Sequence, residues 1–260
     1  MESKSNRPAN WHTHTTRCNH AVGADREYVE QAVREGFSLL GFSEHTAWPY
    51  GESDFTQHRR LEIAQMADYV SSVRALKEEF CGRIDIKLGL EAEYFPQYMS
   101  WLRDTKEEYG LDYILLGHHY CGPSESFQYY GYGCTPKAMS YFTESLAEAV
   151  ETGLFMYIAH PDLMFNTLGT FDANCRSASI DVLEIVKEYR IPIEYNISGF
   201  QKKKPGMLGY PCREFWELAA AYDPDVYIGF DAHDPSVLSA DTHREYSATL
   251  RAQGFRVLNP

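Results

Sequence analysis

The chain has 260 residues, 44% of them hydrophobic and 23% charged, a globular balance that argues against disorder. Its formal net charge of −13 argues against an extended nucleic-acid surface, yet allows a small anionic substrate where bound cations reverse the local sign. No apolar run is long enough to span a membrane, and the opening MESKSNRPANWHTH contains nothing like a signal peptide. The six cysteines (Cys18, Cys81, Cys121, Cys134, Cys175 and Cys212) show no CxxC spacing, which argues against a disulfide frame or zinc knuckle; the expected location is the cytoplasm.

The first strand-like run, Trp11–Thr15, carries His12 and His14 and is followed by His20. A helical pattern covers Asp25–Gly36, with Tyr28, Val29, Ala32 and Val33 on one face and Gly36 as a stop. Leu39–His45 reads as a second strand ending in Glu44-His45, and Gln57–Phe80 as a helix. A third strand, Ile84–Tyr94, carries Glu91-Ala92-Glu93, and a fourth, Tyr113–Tyr120, runs through His118-His119. After a helix over Pro136–Thr152, a fifth strand, Met156–His160, closes on His160-Pro161-Asp162. Helix Ala178–Glu188, strand Ile191–Ile197, helix Pro211–Ala221, strand Val226–His233 and helix Thr242–Gln253 complete the pattern. No linker or internal repeat divides it, so residues 1–260 read as one domain.

Such alternation predicts a parallel sheet with crossover helices, closed as a barrel at this length. An open doubly wound sheet is the alternative, but the Gly-rich turn it usually carries after its first strand is missing. In a parallel barrel the C-terminal strand ends share one mouth, where the histidines and carboxylates named above would converge. Period-two alternation puts His12 with His14, Glu91 with Glu93, and Asp231 with His233 on common faces. A carboxylate in the apolar stretch IKLGLEAEY needs a cationic or metal partner, which singles out Glu91. Imidazole mixed with carboxylate suits Zn²⁺, Mn²⁺ or Fe²⁺, and closely spaced cations of this kind support hydrolysis. Ser43 and Ser198 lack a nucleophile-elbow pattern, so a serine hydrolase is not indicated.

HTHTTRCNH, GFSEHT, GLEAEY, LGHHY, IAHPDL and GFDAH, in this order, resemble the successive motifs of the polymerase-and-histidinol-phosphatase (PHP) family over residues 10 to 235. The resemblance implies a distorted (β/α)7 barrel holding two or three divalent metal ions (Zn, Mn or Fe). By motif, one metal would take His12, His14, Glu91 and Asp231, and a second would share Glu91 with His119 and His160. The third would take His20, His45 and His233. In the fourth motif His119 falls at the family's position, with His118 adjoining as the alternative. Glu91, Asp231 and His233 are the candidate catalytic residues.

Tyr195-Asn196-Ile197-Ser198-Gly199 followed by Lys202-Lys203-Lys204-Pro205 resembles the NTSG…RKP segment of the family's histidinol-phosphatase branch, with a lysine run replacing Arg-Lys. The implied activity is hydrolysis of a small phosphate monoester, L-histidinol phosphate first, with Lys202, Lys203, Lys204 and also Arg17 as candidate phosphate contacts. A solvated loop is the plain alternative for the lysines. Rival functions are a phosphoesterase for nucleotides or other sugar or alcohol phosphates, and a catalytically silent metal-binding sensor. No nucleic-acid or membrane partner is expected. Phe127–Tyr132 (FQYYGY) reads either as a loop covering a ring-bearing substrate or as ordinary aromatic packing.

Overall fold

The computed structural model describes residues 7–51, 58–121 and 128–259. Its strands are β1 (Ala9–Asn10), β2 (Leu39–His45), β3 (Asp85–Ala92), β4 (Tyr113–Leu116), β5 (Ile193–Asn196), β6 (Asp225–Gly229) and β7 (Arg256–Val257). All their pairings are parallel, in two sheets ordered β1-β2-β3-β4 and β5-β6-β7. The helices are α1 (Asp25–Glu35), α2 (Met66–Glu79), α3 (Met99–Glu108), α4 (Pro136–Glu151), α5 (Ala173–Tyr189), α6 (Ser198–Lys202), α7 (Arg213–Ala219) and α8 (Ala240–Ala252). Local chemistry sets several boundaries: α1 stops at Gly36 with φ 81°, and Thr135, Asp172 and Ser239 cap α4, α5 and α8 with side-chain oxygens.

Single bridges join the two sheets into a ring. Ile158 pairs with Leu116 at the end of β4 and with Ile193 in β5, while Thr13 pairs with Ala232 beyond β6. The expected fifth strand, Met156–His160, is therefore reduced to two bridges at one residue, Ile158, although Ala159 N–H donates to Leu116 O and Glu194 N–H to Ile158 O. Pro192 has no N–H to give that ladder, and His160 turns into the left-handed region at φ 31°, so regular pairing stops there. The expected first strand, Trp11–Thr15, is likewise displaced to Ala9–Asn10 with a bridge at Thr13. At this seam the Asn10 side chain accepts from Phe230 N–H, replacing a ladder bond (2.9 Å).

Three further expectations are corrected. The long helix begins at Met66, and residue 57, where it was expected to start, lies outside the described residues. Helix α3 was not anticipated, because its buried positions Met99, Leu102 and Thr105 make only a short stripe, one member of it polar. The two-residue β7 carries no period of its own and exists through pairing with β6. Among the described residues, no helix is long and apolar enough to cross a membrane.

The ring interior is aromatic. Trp11, Tyr113, Tyr157 and Tyr227 pack edge-on and tilted with centroids 5.1–6.3 Å apart. The Tyr113 hydroxyl donates within this layer to Trp11 O and Phe42 O (2.6 and 2.9 Å). Room for this ring comes from glycines on the neighbouring strands: a β-carbon at Gly89 would lie 2.6 Å from Tyr113 ring carbons.

Gly89→Ala is therefore expected to lower unfolding stability by about 1–3 kcal/mol through overpacking. Urea denaturation should show a smaller loss when the same substitution is made in a Tyr113→Ala background. Strict additivity of the two losses would refute this account of the close approach.

Candidate metal centre

The strand ends deliver their side chains to one mouth, and the centre forms around Glu91. This carboxylate is 2% exposed, and both its oxygens face imidazoles. Oε1 lies 3.4 Å from His12 Nε2, 3.5 Å from His119 Nε2 and 3.0 Å from His160 Nε2. Oε2 lies 3.5 Å from His14 Nε2 and 2.9 Å from His45 Nδ1. Asp231 Oδ1 completes one side, 3.2 Å from His14 Nε2 and 3.7 Å from His12 Nε2. His20 and His233 meet at the rim with their Nε2 atoms 2.9 Å apart. A glycine admits the central carboxylate, since a β-carbon at Gly117 would sit 2.7 Å from Glu91 Oε1.

Backbone strain marks the same place. His118, His160 and Asp231 have φ of 46°, 31° and 45°, a region that L-residues enter at a cost of about 1–3 kcal/mol each. At the fourth strand end the turn separates the neighbouring histidines. His118 points to α4, with Nε2 3.1 Å from Phe142 O and 2.9 Å from Ser145 Oγ, while His119 faces Glu91.

Several Nδ1 atoms are anchored from behind. His12 Nδ1 meets Glu194 at 2.8 Å, His14 Nδ1 meets Glu44 at 3.4 Å and His119 Nδ1 meets Glu93 at 2.9 Å. His20 and His233 bond through Nδ1 to the carbonyls of Cys18 and Asp231 (2.7 and 2.9 Å). Anchoring one ring nitrogen fixes the direction of the other, the arrangement usual behind metal-ligating histidines.

Electrostatics divides the imidazoles. Burial works to lower the His12 pKa, but Glu194, Glu91 and Asp231 hold it well above the ordinary value. Burial opposes charge on His14 too, yet the facing carboxylates Asp231, Glu44 and Glu91 push it up to about 9. Burial prevails at His20, lowered to about 4, and at His45 and His233, which nearby protonated His14 disfavours further. For Glu91, burial is outweighed by His119, His12 and His45, which hold the carboxyl well below its usual range.

The donors fit divalent cations. His12 Nε2, His14 Nε2 and Glu91 Oε2 are buried without a hydrogen-bond partner, an expensive condition that a shared cation relieves. Triads whose ligand atoms lie within 4.8 Å of one another include His12-His14-Asp231, His12-Glu91-His160, His45-Glu91-His119 and His14-His45-His233. His20 joins His233 and Cys18 in a further triad. The nine residues expected as ligands thus all come to one mouth.

Above them opens a cleft of about 530 Å³, whose lining includes Arg59, Arg60, Tyr120, Tyr129, Asn166, Lys202 and Tyr210. Lys202 Nζ stands 3.5 Å from Asp231 Oδ2. The other expected phosphate contacts are corrected. Arg17 is tied to Asp25 and Asp68 at 2.9 and 2.7 Å, away from the cleft lining. Lys203 lines a separate cavity with Trp216 and Phe255, and Lys204 is exposed outside the cleft. The lysines diverge because α6 ends at Lys202 and the chain becomes extended at Lys203. Of FQYYGY, Phe127 lies outside the described residues, Tyr129 lines the cleft and Tyr132 is exposed.

Arg59, Arg60, Tyr210 and the anchoring role of Glu44 were not identified from sequence, nor was Glu194. The last had a usable signal: a carboxylate in the apolar run IPIEYN poses the same burial problem as Glu91.

The profile of the family described as PHP domain matches residues 10–198. A Deinococcus radiodurans protein named "Probable histidinol-phosphatase" is 29% identical over 231 residues, covering 86% of this chain and 85% of its own. The Bacillus subtilis histidinol-phosphatase is 24% identical over 266 residues, covering 92% and 97%. A crystal structure of histidinol phosphate phosphatase from Lactococcus lactis, complexed with Zn, L-histidinol and phosphate, superposes with a TM-score of 0.72 at 16% identity. The match covers 97% of this chain and 95% of that one.

Metal loading should release protons. A ligating imidazole is neutral, whereas His14 in the metal-free protein keeps its proton up to about pH 9. Metal affinity is therefore expected to rise with pH between about 6 and 9 and to fall on acidification. Calorimetric Zn²⁺ titration at pH 7.5 in buffers of different ionisation enthalpy should give net proton release; none would contradict the assignment. In parallel, His119→Ala should lose bound metal and His118→Ala should keep it.

Proposed function

This chain belongs to the PHP domain family, and on that premise we propose that it hydrolyses a small phosphate monoester, with L-histidinol phosphate the leading substrate. The observation that carries the reading is Glu91, a buried carboxylate with both oxygens among imidazoles, placed beneath a cleft bordered by Arg59, Arg60 and Lys202. The histidinol-phosphatase names of its relatives support the substrate.

We assign His12, His14, His20, His45, Glu91, His119, His160, Asp231 and His233 as ligands of two or three divalent cations, Zn, Mn or Fe. When bound, these supply an activated water and neutralise charge on the phosphoryl oxygens. The chain's own residues do the rest. Glu91 and Asp231 keep negative charge at the floor of the cleft, which fixes the cationic cluster in position. At the rim, Lys202 provides a point charge toward which an incoming phosphate is drawn, and Arg59 adds a planar donor on the cleft wall, while Arg60 beside it is turned to Thr46 O and Glu93. Tyr120, Tyr129 and Tyr210 give the organic part flat surfaces. The proposal includes a single domain over residues 1–260 and a cytoplasmic location, the latter supported by cysteines without CxxC spacing.

One observation favours a second reading, a phosphatase of other alcohol phosphates. Among the described residues the cleft lining contains a single carboxylate, Asp231, which already faces His14 and Lys202. An ammonium-bearing alcohol thus meets little complementary charge there.

The test is phosphate release from histidinol phosphate, AMP and an aryl phosphate, with Zn²⁺, Mn²⁺ and Fe²⁺ in turn. Histidinol phosphate is expected to give the highest kcat/KM. Lys202→Ala should lower kcat/KM about tenfold on all three, the loss of one half-exposed charge-assisted contact, with metal content unchanged. Lys204→Ala should behave as the parent. No metal-dependent release from any ester would end the hydrolase reading.

A further inference from the structure

Glu194, in β5, is wholly buried beneath the centre, and four donors converge on its carboxylate. Oε1 accepts from the His12 Nδ1–H at 2.8 Å and from the Tyr157 hydroxyl at 3.2 Å. Oε2 accepts from the His160 backbone N–H at 3.1 Å and from the Asn196 amide at 2.8 Å. The opposite strand leaves room for the group, since a β-carbon at Gly229 would run into it.

Glu44 meets the His14 ring and the backbone N–H of His45, its own neighbour, through one oxygen, and Glu93 meets the ring and backbone N–H of His119 alone. Glu194 differs because each of its oxygens serves a different histidine, both distant in the chain. One directs the His12 ring, and the other holds the peptide of His160, where the backbone takes its strained φ of 31°. These two imidazoles both reach Glu91 Oε1, at 3.4 and 3.0 Å, beside His119 at 3.5 Å.

We propose that Glu194 is the positioning residue of the His12-Glu91-His160 corner, a carboxylate that fixes one ligand through its ring and another through its backbone, so that both arrive as a unit. The inference rests on the metal-centre reading above. Tyr157 and Asn196 act behind it by locking the carboxylate plane.

Glu194→Gln is the discriminating variant. Its amide keeps one accepting oxygen but replaces the other with an NH₂ that cannot accept from a backbone N–H. Zn²⁺ is titrated into metal-free protein against a competing chelator, and histidine-ring NMR is recorded on the zinc-loaded form. One zinc should weaken by about tenfold to a hundredfold, the usual range for loss of a ligand's hydrogen-bond partner. The His12 Nδ1 proton, protected in the parent, should shift or exchange away while the His14 and His119 ring signals stay. Glu93→Gln should do the reverse, moving His119 and sparing His12.

Tyr157→Phe, which keeps the carboxylate and removes one donor, should weaken the same zinc about twofold to tenfold, so the test survives if Glu194→Gln folds poorly. Parent-like zinc affinity and an unchanged His12 signal in Glu194→Gln would overturn the proposal. So would equal weakening at every zinc, which marks general loosening. If the parent itself takes up no zinc, the metal-centre reading falls and this inference falls with it.

Discussion

Burying a carboxylate without partners costs several kcal/mol, and this protein buries Glu91 at the centre of its fold. Five imidazoles face its two oxygens, which makes the charge tolerable and concentrates the ligand set in one place. Much of the surrounding architecture serves that arrangement. Gly117 leaves space for the side chain, and strained turns at His118, His160 and Asp231 bend the chain around the mouth. Further carboxylates behind the ring, Glu44, Glu93 and Glu194, hold imidazoles from the far side.

This gives the molecule layers along the barrel axis. The aromatic plug of Trp11, Tyr113, Tyr157 and Tyr227 fills the ring below. Above it comes a shell of carboxylates, then the imidazoles with Glu91, then the open cleft with its arginines and lysine. Polarity rises steadily toward the mouth. A low-dielectric floor strengthens every charge interaction resting on it, so the plug contributes to the site as well as to the core. The Tyr157 hydroxyl links the two by donating to Glu194.

An overall charge of −13 is compatible with this site because charge is distributed by location. The described lining of the cleft includes Arg59, Arg60 and Lys202 and a single carboxylate, Asp231, so an anion entering it meets positive charge.

Chain order and residue type were enough to determine that strands alternate with helices, that histidines and carboxylates mark the strand ends, and that Glu91 needs a cationic or metal partner, while its place as the shared residue of the set came from the resemblance to the PHP family. Period two and period 3.6 are local properties, and a carboxylate inside an apolar run is an anomaly visible without coordinates. Tertiary structure decided what depends on direction in space. His118 and His119 are neighbours in sequence, and only the left-handed turn between strand and loop sends one to α4 and the other to Glu91. Lys202 and Lys203 part because α6 ends between them and the backbone becomes extended at Lys203. Arg17 was lost to Asp25 and Asp68, partners 8 and 51 residues away that no short motif contains. The ring closure is also tertiary, because a bridge such as Thr13 to Ala232 has no local signal and forms only when both ends of the chain meet.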